Sequence, residues 1–457
     1  MWQVVVERFE EHAPASVMAR LALERALPAS WVDEVFDQCR QRQYPRELMF
    51  STIVELMTLV TLGLRPSLHA AAHKMQTLPV SLAALYDKLR RTEPAVLRGL
   101  VRGSAERLAP VAQEIDARVS LPGWQLRIVD GNHLPGSDKR LAPLRQHRGA
   151  ALPGHTLVVY DPDQALVCDI VACEDAYESE RIGVLPLIDS AQAGQLWIAD
   201  RHFCTHAIME GLSRAQAGLI VREHSRHPRL AAQGDWSEAI RTDTGMLREH
   251  AIEVADMNGQ RSMTWRRIEI ELDTPTEDNE SVIRLWSNLP VSIEASTIAA
   301  LYRKRWRIEG MFQRLESVLH SEIKTLGHPR AALLGFTVAV LAYNVVALVQ
   351  RAVEQAHRQE HPQLEVSSYH LAEHVKSGYE GMLIALPSQY WPSAQDNSPR
   401  ELAQRLLRLA RRISPRQVAT SKRGPKIDKP KGYVDGATAR AHVSTARVLA
   451  QARGQRP

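Results

Sequence analysis

The 457 residues predict an α/β fold: a mixed sheet with a β-rich insertion, preceded by an all-α N-terminal domain. Helix-periodic runs fill residues 15–118, broken at Gly and Pro. After Pro122 the texture changes to short runs rich in Val, Ile and Leu, bounded by turn residues and later separated by helical stretches. Hydrophobic residues at 44% and charged residues at 24% are ordinary globular values, which excludes a disordered or fibrous chain. A chain of 457 residues also exceeds what one hydrophobic core commonly serves, so several domains are expected.

The helical N-terminal domain is expected over 1–120, where LPASWVDEVFDQCRQR and ELMFSTIVELMTLVTLGL carry the helical pattern. SLAALYDKL and AVLRGLVRGSAERL, joined through RRTEP, read either as a DNA-binding helix-turn-helix, given Arg90, Arg91, Arg98 and Arg102, or as a plain helical hairpin. An α/β domain is expected over 121–355. It opens with strands LRIVD (126–130), GHTLVVYD (154–161) and ALVCDIVAC (165–173). A helix over 178–193, the strand LWIAD (196–200), a helix over 203–215 and the strand GLIVRE (218–223) follow.

About 70 residues then precede the next clear helix, too many for a structureless loop in a compact domain. RRIEIELD (266–273) and SVIRLWSNL (281–289) alternate, with Ile268, Ile270 and Leu272 on one face, so 224–293 is read as the β-rich insertion. A helix over 296–322 comes next, then an apolar one over 331–355. Residues 331–350 hold no charge and are long enough to span a bilayer. Their Ala content, together with Thr337, Tyr343, Asn344 and Gln350 and the lack of a second apolar span, favours a buried core helix and no membrane. A helical region over 356–413 and a basic flexible tail over 414–457 complete the chain.

Charge is unevenly spread. Residues 401–457 hold fourteen Lys and Arg against three Asp and Glu, while the first 400 hold 43 against 49. Such a basic end attracts a polyanion, most commonly nucleic acid, or is simply solvated. Four irregularly spaced cysteines supply no disulfide framework, and His202, Cys204 and His206 lack the spacing of a common zinc site. The start, MWQVVVERFEEHAP, lacks a basic stretch followed by a long apolar one, so no secretory signal is expected.

Asp130 and Asp200 each end a predicted buried strand, where side chains emerge from a rigid sheet into a crevice. Either one alone would be read as a cap on the following turn. Together they can share divalent cations, which take carboxylate oxygens and, in pairs, activate the attacking oxygen and stabilise the leaving oxygen of a phosphodiester. The third carboxylate is Glu309 in LYRKRWRIEGMFQRLE (301–316), where helical spacing puts Tyr302, Arg305 and Glu309 on one stripe. The plain alternative is an i,i+4 ion pair between Arg305 and Glu309. REHSRHPR (222–229), with Arg222 and Arg226, reads as a DNA contact or a solvated loop, and Arg201 as a phosphate ligand or a structural ion pair.

VDGN (129–132), ADR (199–201) and the Tyr302, Arg305, Glu309 helix resemble the three catalytic blocks of DDE transposases of the insertion-sequence-four group. The resemblance covers roughly residues 120–350 and implies a ribonuclease H-like domain. It further implies that Asp130, Asp200 and Glu309 bind two divalent ions, magnesium or manganese, and that Tyr302, Arg305 and Arg201 contact DNA. The implied partners are the double-stranded terminal inverted repeats, target DNA and a second copy of the chain in a paired-end complex, in the bacterial cytoplasm at the nucleoid. One residue departs from the pattern: the group's lysine seven positions after the glutamate is Glu316 here. A nuclease without strand transfer and a non-catalytic DNA-binding repressor are the alternatives.

Overall fold

A computed structural model describes residues 2–421 apart from 44–46, 76–77, 138–140, 142–150, 227, 229, 256–261, 277–278, 388–389 and 392–396. Seven helices among these residues precede the first strand: α1 (Trp2–His12), α2 (Pro14–Ala26), α3 (Ala29–Cys39), α4 (Phe50–Thr61), α5 (Leu68–Lys74), α6 (Leu82–Arg91) and α7 (Pro94–Ile115). The sheet begins with β1 (Gln125–His133), β2 (His155–Asp161) and β3 (Leu166–Cys173). Short helices α8 (Glu180–Gly183) and α9 (Leu185–Ile188), β4 (Gln195–Ala199), α10 (His206–Arg214) and β5 (Gly218–Arg222) follow. Then come β6 (Leu230–Gln233), β7 (Ile240–Arg241), β8 (Gly245–Ala255), β9 (Ser262–Leu272) and β10 (Val282–Ser287). The remaining helices are α11 (Ala295–Arg303), α12 (Trp306–Ser317), α13 (Pro329–Ala356), α14 (Ser368–Ala385), α15 (Pro399–Ala410) and α16 (Pro415–Val418).

The strands form one sheet in the order β3-β2-β1-β4-β5-β10-β9-β8-β6, with β7 on β8. β1, β2 and β3 pair antiparallel, β1, β4 and β5 parallel, and the rest antiparallel. The mixed α/β class with an all-helical start is the one the sequence predicts, and the strand order is consistent with a ribonuclease H-like transposase fold. The β-rich stretch is no separate appendage. β10 pairs with β5, covering an edge that would otherwise be open, and the sheet continues outward from there.

Helix α13 organises one side of this sheet. Helices α2, α4, α6, α7, α14 and α15 and strand β3 pack around it, so its apolar run is buried on nearly every side. It is the one described helix long and apolar enough to cross a membrane, and 94% of that window is buried inside the fold. Its buried Asn344 grips the edge strand β3, accepting from Val167 N at 2.8 Å and donating to Val167 O at 2.9 Å. Helix α7 buries Val96, Leu97, Leu100 and Leu108 against the same core, and Arg98 grips Asp169 of β3 at 2.9 and 2.8 Å. The second helix of the hairpin at 82–115 is therefore docked on the sheet and α13.

Three local expectations are corrected. The helix over 178–193 is two single turns, with Pro186 inside the second. The helix over 296–322 breaks after Arg303 and ends at Ser317. At the break the amides of Lys304, Arg305, Arg307 and Ile308 each bond a carbonyl three residues back, a 3-10 tightening that redirects the chain. Residues 415–419 join the fold: Val418 is buried, and Ser367 N donates to its carbonyl at 2.7 Å. The rest of the basic end, 422–457, lies outside the described residues.

Candidate active site

Parallel strands β1 and β4 run in register from Gln125 opposite Gln195 to Ile128 opposite Ile198. Two more rows bring Asp130 opposite Asp200. Side chains alternate across a strand, so both aspartates leave on the face of Ile128 and Ile198, which belong to the core under α12 and α13. Val129 and Ala199 point to the second core on the far face. β1 does not stop at Asp130, as the sequence suggested, but continues to His133 along β2. The crevice opens because β4 stops at Ala199.

Each aspartate spends one oxygen locally. Asp200 Oδ1 accepts from His202 N at 2.8 Å, capping a 3-10 turn at Arg201–Phe203, and Asp130 Oδ1 accepts from Gly131 N at 2.9 Å. Capping and a place in the carboxylate cluster thus coexist. Glu309 lies in the first turn of α12, and Arg305 stands at that helix's N-cap. Arg305 bridges the group: Nη1 is 3.3 Å from Asp130 Oδ2 and Nη2 is 2.9 Å from Glu309 Oε1. Tyr302, buried at the end of α11, hydrogen-bonds the same guanidinium.

The electrostatics follow from this packing. Burial pushes the Asp130 carboxyl up to about 6; the charges of Asp200 and Glu309 add to this, while Arg305 and the Gly131 amide oppose it. Burial works against the Arg305 charge, yet Tyr302, Asp130, Glu309 and Asp200 together hold its pKa above the ordinary arginine value. Burial also raises Tyr302, against Arg305 and Arg222. Three hard oxygen donors that sense one another across a buried locus are a set that divalent magnesium or manganese favours. As they stand, no three Asp, Glu, His or Cys among the described residues are close enough to grip an ion, and Arg305 lies between Asp130 and Glu309. The donor chemistry fits a metal, and Arg305 holds the place of its charge.

The other expected contacts fall farther out. Arg201 Nη1 is 3.2 Å from Glu280 Oε1, and Arg222 pairs with Glu280 Oε2, so both are structural ion pairs with the β-rich stretch. Arg226 is exposed in the loop after β5. Residues 227 and 229 of the same basic run lie outside the described residues. Sequence reasoning missed Glu280, which no spacing links to Arg201. It also missed Trp306, 63% exposed between Arg305 and Glu309, with the Arg305 guanidinium 4.9 Å from its ring centre. An indole inside a polar helix face was the available signal.

Residues 124–345 match the family described as the transposase DDE domain. The chain is 25% identical over 288 residues, 55% of it and 74% of the relative, to the protein named as transposase InsL for insertion sequence element IS186A from Escherichia coli (strain K12). It is also 25% identical over 288 residues, 55% of it and 73% of the relative, to the transposase for insertion sequence element IS421 from Escherichia coli. A matched DDE domain on a mixed α/β sheet, together with relatives named as transposases, supports a transposase of the DDE type.

Proposed function

We propose that this chain is a transposase of the insertion-sequence-four group that binds the terminal inverted repeats of an insertion sequence, cleaves their ends and joins the 3′ hydroxyls to target DNA. The observation that carries the reading is the convergence of Asp130, Asp200 and Glu309 on one sheet face, with Arg305 set among them. Asp130, Asp200 and Glu309 would hold two divalent ions, magnesium or manganese, which when bound make the attacking oxygen more acidic and stabilise the leaving oxygen. For that set to open, Arg305 gives up Asp130 and Glu309, and its guanidinium becomes free for a DNA phosphate, with Tyr302 behind it. Trp306 offers an exposed ring to an unpaired base. Arg226 faces DNA directly, whereas Arg201 and Arg222 reach it only by leaving Glu280. Cutting both ends of one element calls for two sites, hence a homodimer in a paired-end complex.

The Arg305 bridge favours one second reading, a non-catalytic DNA-binding chain that keeps the bridge permanently closed. Incubating the protein with duplexes from the DNA flanking its own gene, with and without magnesium, separates the readings. Cut ends joined to a second duplex support the transposase. Cut ends that never join point to a nuclease, and sequence-specific binding with no cutting at any magnesium or manganese concentration sinks the catalytic proposal.

A further inference from the structure

Helix α12 has a second functional side. At about 100° per residue, Arg307 and Arg314 fall within about 20° of each other and roughly 150° away from Glu309. Both line a cavity of about 460 Å³ between α12, α13, the turn after β2 and residues 361–365. With Arg118, Arg351 and Arg358, that cavity holds five arginines against the two carboxylates of Glu354 and Glu365.

Two of the five are neutralised: Arg118 pairs with Asp116 and Glu354, and Arg358 with Asp116. The other three reach neutral acceptors. Arg307 Nη1 donates to Pro162 O at 3.1 Å, Arg314 Nη1 to the Tyr343 hydroxyl at 3.3 Å, and Arg351 to the carbonyls of Asp163 and Gln164. Arg351 is only 3% exposed, and its Nε has no hydrogen-bond partner among the described residues. Three guanidinium charges with no carboxylate partner among the described residues, one of them buried and under-bonded, therefore surround one open cavity. Such an arrangement is costly without an anion, and guanidinium groups match the oxygens of phosphate in pairs.

We propose that this cavity binds a phosphate group of a DNA strand other than the one presented to Asp130, Asp200 and Glu309. The DNA origin of the phosphate rests on the transposase reading; recognition of phosphate by the arginines does not. The test uses the full chain without divalent metal, as parent, Arg307→Gln, Arg314→Gln and the double variant. One arm measures the melting temperature against added inorganic phosphate; the other follows binding of a labelled duplex by fluorescence anisotropy across a salt series. Phosphate should raise the melting temperature of the parent and not of the double variant. The slope of log affinity against log salt should flatten by about 0.9 per arginine lost. Arg307 is exposed, so its single variant reads the slope without disturbing packing. Phosphate protection with unchanged slopes, or in a parent that binds no DNA, overturns the DNA assignment in favour of a small phosphate compound. No phosphate effect together with unchanged slopes overturns the site itself.

Discussion

The two sides of α12 carry charges that are settled in opposite ways. On the Glu309 side three carboxylates share one guanidinium: Arg305 lies 3.3 Å from Asp130 and 2.9 Å from Glu309, and Asp200 senses the same charge. On the Arg314 side the guanidinium groups rest on carbonyls and a phenol. The first side keeps an excess of negative charge that a cation can take up once Arg305 moves aside; the second keeps an excess of positive charge until an anion arrives. Charge lost from the first side should therefore act on chemistry and on stability, and charge lost from the second on binding.

The largest effect expected is on cleavage. Asp130→Asn, Asp200→Asn and Glu309→Gln keep side-chain shape but lose anionic oxygens, and several kcal/mol of transition-state stabilisation correspond to a loss of at least about a thousandfold in rate. DNA affinity should stay within about twofold of the parent, since these groups do not attract phosphate. Retained cleavage by one variant in a gel assay at fixed magnesium would remove that residue from the site.

Stability should move next. Asp130 is raised from 3.8 to about 6 in the folded chain, so the folded state holds its proton more tightly than the unfolded one. Below the lower value both states are protonated and burial costs nothing; as pH rises through the window stability falls, and above about 6 the whole cost, roughly 3 kcal/mol, is present. Asp130→Asn should therefore melt higher than the parent at pH 7 and lose the decline across that window. Equal melting curves at pH 7 would mean that Asp130 carries no net cost of burial in the folded chain. A smaller change belongs to the basic end: residues 422–457 carry nine Lys and Arg against two Asp and Glu. Ending the chain after Ser421 keeps α16 and should weaken duplex binding and flatten its salt slope; an unchanged slope excludes that end as a DNA contact.

The side-by-side placement of Asp130 and Asp200 was legible because alternation along a strand is a local rule, although β1 runs on past Asp130 to His133 and the helix expected to carry Tyr302, Arg305 and Glu309 breaks between them. Asp130 and Asp200 come together through strand register, which is fixed because Leu126, Ile128, Leu196 and Ile198 enter one core while Val129, Trp197 and Ala199 enter the other. The break after Arg303 was not legible, because nothing in RKRW forbids a continuous helix and the 3-10 bonds arise from packing. Nor was the Arg305 bridge to Asp130, which joins residues 175 apart in sequence. The same holds for the Arg351 cavity: its guanidinium is aimed by a turn after β2 and by α13, elements whose contact no local pattern encodes.

The smallest expected effect concerns Glu316, the one residue that departs from the resemblance. Seven positions after Glu309 it falls back to within about 20° of the same stripe and about 10.5 Å farther along α12. It is exposed, one residue before the helix ends at Ser317. Its electrostatic neighbour is another acid: burial pushes Glu322 up, Glu316 adds to that, and Lys324 opposes it. Lys324 cannot return to the stripe, since α12 ends before it, and Arg314 faces the other cavity. Glu316 therefore repels phosphate beside the Glu309 face without belonging to the Arg305 bridge. Glu316→Gln should preserve cleavage. Glu316→Lys should tighten binding of a cleaved repeat end by up to about fivefold, since an exposed charge contributes at most about 1 kcal/mol. Loss of cleavage in Glu316→Gln, with melting temperature and DNA affinity unchanged, would instead place Glu316 among the reacting groups and make the paired side of α12 one carboxylate larger.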